Sequence, residues 1–103
     1  MKPKRIVGEV IVSVRFVGSL RASTKRSRLS LKFEETVKLK EVVERIIQER
    51  PKLKQALIDP ELGDPRTNAL VLVNGKEISV LDGLETKVSD GDEVVFVPVV
   101  HGG

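Results

Sequence analysis

The chain has 103 residues, 40% apolar and 32% charged, the balance of a soluble globular protein with room for one core and too little for two. It contains no cysteine, which excludes disulfides, thiol nucleophiles and thiolate metal sites, and its formal net charge of +3 is mild. No apolar run reaches the roughly 18 residues of a membrane span, and Met1-Lys2-Pro3-Lys4-Arg5 precedes alternating residues instead of the apolar stretch of a secretory signal, so the expected location is cytoplasmic.

Valine supplies 17 residues, a composition that favours strands, because β-branched side chains suit a pleated surface. Val10, Val12, Val14 and Phe16 alternate with Ile11, Ser13 and Arg15, the period of a strand with one face to the core. Leu29, Leu31 and Phe33 alternate in the same way. The polar, basic stretch 18–28 between them predicts a hairpin with a long connection. The period then changes: Leu39, Val42, Val43, Ile46 and Ile47 form the stripe of an amphipathic helix, which Pro51 stops. A short second helical turn is expected over 52–57, and the two Asp-Pro steps of 59–65 read as loop.

Strands resume over 69–73. Asn74-Gly75 predicts a tight hairpin turn, since both residues tolerate positive φ, with 76–79 returning. Asp82-Gly83 and Asp90-Gly91 read as turns, and 93–99 as a last strand. Pro98, which has no N–H, must lie on an edge or at that strand's end. Val100-His101-Gly102-Gly103 is expected to be a free tail behind one domain spanning 1–99. The order strand, strand, helix, strand, short strand, strand predicts an α+β domain, a β-grasp with one main helix packed on one face of a mixed sheet.

Within that order, Val71-Leu72-Val73-Asn74-Gly75, then Asp90-Gly91-Asp92-Glu93-Val94, Phe96 and the ending Gly102-Gly103 resemble the ubiquitin-like sulfur carriers and modifiers. That family includes the small subunit of molybdopterin synthase (MoaD), the thiamin sulfur carrier (ThiS), the ubiquitin-related modifier and the small archaeal modifier proteins. Pro98 looks like MoaD, and His101-Gly102-Gly103 looks more like the ubiquitin-related modifier. The basic loop at 21–28 and the stretch 51–67 depart from the compact carriers.

The resemblance implies that the Gly103 carboxylate is the reactive group. A carboxylate is a poor electrophile; joined to AMP it becomes a mixed anhydride that sulfide or an amine attacks. A ubiquitin-activating-type adenylating enzyme, which uses ATP, would perform that chemistry, and the chain itself would bind no cofactor and supply no catalytic residue. Gly102 and Gly103 lack a Cβ and so allow close backbone approach in a narrow channel. Val100 and His101 would seat the tail. Val94 and Phe96 are expected to point inward, leaving Leu72, Val95 and Val97, with Pro98, as an apolar partner-binding patch on the open face.

Arg21, Lys25, Arg26 and Arg28 are candidates for electrostatic contact with an acidic partner surface. Nucleic acid is the less favoured partner, with no Trp or Tyr to stack on bases. His101 is the single histidine, so the usual metal clusters are out of reach. Asp82, Asp90 and Asp92, like Asp59, Glu61 and Asp64, are better explained as turn residues than as cation ligands. Two readings follow. The first is a carrier whose thiocarboxylated Gly103 delivers sulfur for molybdopterin or tRNA thiolation, acting with a sulfur-transfer complex subunit. The alternative is a modifier joined through Gly103 to target-protein lysines, and a third and weaker possibility is a free-standing binding module.

Overall fold

A computed structural model describes residues 9–18, 20, 28–57 and 69–99. Its strands are β1 (Val10–Phe16), β2 (Arg28–Phe33), β3 (Val37–Lys38), β4 (Ala69–Val73), β5 (Lys76–Glu77), β6 (Lys87–Val88) and β7 (Glu93–Pro98). Helix α1 (Leu39–Glu49) follows β3, and the short α2 (Leu53–Leu57) follows α1. The main sheet runs β2-β1-β7-β4-β5, and β3 pairs with β6 in a separate two-stranded ladder. β1 is antiparallel to β2 and parallel to β7, while β4 is antiparallel to β7. This is the expected mixed sheet with one main helix.

The alternation in β1 places Val12, Val14 and Phe16 at full burial beneath α1. From α1, Leu39, Val42, Val43 and Ile46 join them, and Leu53 and Leu57 of α2 extend the same cluster. Phe16 and Phe96 stack with ring centroids 5.6 Å apart, which fastens the first strand to the last across the sheet centre. Arg45 reaches back from the helix, its Nη1 donating to the Lys32 carbonyl at 2.9 Å and its guanidinium lying 4.4 Å from the Phe33 ring centroid. At the helix start, the Glu41 carboxylate accepts the Lys38 N–H at 2.7 Å, satisfying a donor that the helix leaves free. At its end, Arg50 N–H still reaches the Ile46 carbonyl, and Pro51 opens the turn that leads into α2.

One expectation is corrected. The return strand after Asn74-Gly75 stops at Glu77, and Ile78–Val80 form a 3₁₀ turn. The Glu77 carboxylate accepts the Ser79 N–H, a local cap that competes with continued pairing. Ile78 is thereby turned into the core at 1% exposure.

Candidate functional site

The candidate site begins where β7 ends. Pro98 lies opposite Ala69 of β4, and on the other side β1 pairs with β7 only as far as Phe96. The missing N–H of Pro98 therefore falls past the last β1 rung, which is how a proline terminates a central strand. Val17 N–H donates to the Phe96 carbonyl at 3.1 Å, a backbone tie one residue past the end of β1. Beside it stands Gly18, with φ +60° and a backbone so close that an added Cβ would lie 3.0 Å from Pro98 Cγ. Only glycine meets both demands without strain. Val99 follows at 41% exposure. Val100, His101, Gly102 and Gly103 lie outside the described residues.

Register defines the open face, the side of the sheet away from α1. One row crosses all five strands: Arg28, Arg15, Val95, Leu72, Glu77. A second row, nearer the tail, pairs Val97 with Leu70. Leu72, Val97 and Pro98 are half-buried. Val95 departs from the expected exposed patch: it is only 4% exposed, and in its row it sits between the half-buried side chains of Arg15 and Leu72. Leu70, which the sequence reading did not single out, is 40% exposed and is the most open apolar side chain of β4. Its signal was available, because it precedes Leu72 by two and so shares its face. Arg28 is exposed at the first position of β2, whereas Arg21, Lys25 and Arg26 lie outside the described residues.

The motif residues Asn74 and Asp92 act together in the two turns at the opposite end of β7. Asn74 sits at φ +51°, its Nδ2 donating to Asp92 Oδ1 and its Oδ1 accepting the Glu93 N–H, both at 2.9 Å. The second Asp92 oxygen accepts from Ser89 N–H at 2.7 Å, and Asp90 Oδ1 accepts from Ile11 N–H at 2.9 Å. These carboxylates thus bond to backbone donors, which supports the turn reading over cation ligation. Among the described residues no three His, Asp or Glu side chains are gathered to hold a metal ion; Asp59, Glu61 and Asp64 lie outside those residues.

Two charged features lie elsewhere. Glu85 accepts from Lys38 Nζ at 2.7 Å and lies 3.4 Å from Lys40 Nζ. The hydrogen bond with Lys38, ahead of the charge attraction, holds the Glu85 carboxyl below its ordinary value and raises Lys38. A groove of about 790 Å³ between the end of β2 and α1 is rimmed by Glu9, Glu34, Glu41 and Glu44. It sits at the far end of the sheet from Pro98, since β1 and β7 run parallel and Glu9 stands before β1. No helix among the described residues is long and apolar enough to cross a membrane.

The family model described as the ThiS family matches residues 14–103. Over 33 residues the chain is 52% identical to a candidate sulfur carrier protein of Archaeoglobus fulgidus, a stretch covering 32% of this chain and 38% of that relative's own length. Small archaeal modifier protein 3 of Haloferax volcanii is 28% identical over 92 residues, 89% of this chain and 98% of the relative. The solution structure of small archaeal modifier protein 1 from Methanosarcina acetivorans superposes with a TM-score of 0.78 at 28% identity, covering 92% of this chain and 98% of that one.

Proposed function

The chain belongs to the ThiS family, whose relatives are ubiquitin-like sulfur carriers and modifiers, and from that premise we propose that Gly103 is its reactive group. In this reading a ubiquitin-activating-type adenylating enzyme of the cytoplasm joins the Gly103 carboxylate to the AMP of ATP, releasing pyrophosphate. Sulfide then attacks the acyl carbon and AMP leaves, so the terminus becomes a thiocarboxylate that donates sulfur for molybdopterin or tRNA thiolation. The observation that carries the reading is that the family match extends from Val14 within β1 to Gly103. The fold supports it as well, since Val17 and Gly18 pack against the end of β7, the strand that precedes the tail in the sequence.

The chain is then a protein substrate. Its part is to present the tail, to offer Leu72, Leu70 and Val97 to the partner, and to keep bulky side chains out of the channel that admits Gly102 and Gly103. Intact mass of the protein isolated from its own cell tests the proposal. The expected result is the mass gain of one sulfur-for-oxygen exchange, absent from a copy lacking Gly102-Gly103. Unmodified chains, with no conjugates of higher mass, would count against it.

A second reading is favoured by the likeness to small archaeal modifier protein 3, which extends over 98% of that relative. Here a lysine amine takes the place of sulfide and Gly103 forms an isopeptide with a target protein. Digested conjugates carrying a Gly-Gly remnant on lysine would support it.

A further inference from the structure

The five-strand row of the open face breaks a pairing rule at one end. Arg15 and Arg28 stand directly opposite each other on β1 and β2, an arrangement of like charges that destabilises a sheet. Neither side chain has an ion pair or hydrogen bond among the described residues, although the chain carries 15 Asp and Glu. Arg15 Nε is also buried without an acceptor. A guanidinium cannot shed its charge, so two opposed arginines with no acid beside them are a standing cost that an incoming carboxylate would offset. Local rules broken without compensation are expected where function demands them.

We propose that Arg15 and Arg28 form a fork that receives a carboxylate side chain of a partner protein and sets its register on the open face. The inference rests on the reading that a partner protein receives the tail from this side. The row runs cation, cation, apolar, apolar, anion, ending at Glu77. A complementary surface therefore carries an acid over Arg15 and Arg28, an apolar side chain over Leu72, and a base over Glu77. Planar guanidinium donors match a carboxylate in two parallel bonds, which gives direction as well as attraction. A phosphate backbone fits less well. Glu93 stands beside Ser13 in the next row and Glu77 closes this one, so a chain of phosphates crossing the face would meet carboxylates.

The test follows the side-chain Nε–Hε resonances of Arg15 and Arg28 in the full-length ¹⁵N-labelled chain. Hexaglutamate is added in one titration and hexathymidylate in another. With hexaglutamate both resonances should shift in a saturable, salt-sensitive way. Arg15→Lys, which keeps the charge and loses the fork, should weaken binding about tenfold, while Arg50→Lys should leave it unchanged. Resonances that stay still, an Arg15→Lys chain that binds like the parent, or tighter engagement by hexathymidylate would each overturn the inference. Should Arg15→Lys fail to fold, Arg28→Lys at the exposed first position of β2 carries the same comparison. A copy lacking Gly102-Gly103 should titrate identically, so a failure here and a failure of Gly103 to be activated are separate results.

Discussion

Replacing Asn74 separates two contributions that the structure superimposes at one residue. Its side chain makes two bonds, to Asp92 Oδ1 and from Glu93 N–H, and its backbone sits at φ +51°. The site is exposed, so each bond contributes about 0.5–1.5 kcal/mol, and the pair about 1–3 kcal/mol. A left-handed backbone costs alanine a further 1–2 kcal/mol or so that glycine avoids. Asn74→Gly should therefore lose about 2 kcal/mol and Asn74→Ala about 3, out of the roughly 5–15 kcal/mol that holds a domain of this size together. With no Trp or Tyr in the chain, far-ultraviolet circular dichroism against urea is the suitable readout. At about 1.5 kcal/mol per molar urea, the alanine variant's midpoint should fall by about 2 M and the glycine variant's by rather less. Equal midpoints would show that the left-handed turn carries no energy here. Two midpoints within about 0.3 M of the parent would refute the whole account of the turn.

Gly18→Ala should cost about 2 kcal/mol through its positive φ, more if the Pro98 ring 3.0 Å away cannot shift; urea midpoints check the stability, and the AMP transfer proposed for Gly103 should slow as the end of β7 moves. Leu70→Arg, at a side chain 40% exposed, should change stability by less than about 0.5 kcal/mol yet raise the chain concentration for half-maximal AMP transfer about tenfold. Unchanged transfer would remove Leu70 from the docking surface. The Lys38–Glu85 bond predicts two slopes in the urea midpoint against pH. Glu85 lies below its ordinary 4.5 when folded, so its contribution is lost as pH falls from about there through the folded value. Lys38 lies above 10.5, so its contribution is complete below that pH and is lost as pH climbs through the raised value. Both groups are exposed and the effects small, but Glu85→Gln should flatten the two slopes together.

What could be read from the residues was whatever repeats locally. Val10 to Phe16 and Leu39 to Ile47 announce their elements because each face recurs several times, and Asn74-Gly75 because the turn needs its φ values. The two-residue strands β3 and β6 have no period to detect, and Ser79 left its expected strand because Glu77 offered the backbone another acceptor. The site was legible in its ending and less so in its surroundings. Gly18 and Arg15 matter through a parallel pairing of β1 with β7 that joins residues about eighty positions apart, and nothing near either residue signals it. Val95 was misjudged for a related reason: the side chains beside it in its row come from two other strands.

The parallel pairing of β1 with β7 at the centre of the sheet makes the fold a check on its own completion. β1 is made early and β7 more than seventy residues later, so no intermediate length of nascent chain can close the core. A chain broken off before residue 93 leaves β1 and β4, neighbours of β7 in the finished sheet, as bare edges, the kind of surface that aggregates or is degraded. Fragments thus lose the open face together with the strand that precedes the tail, and a partner that docks on that face would meet only molecules whose synthesis has passed the last strand.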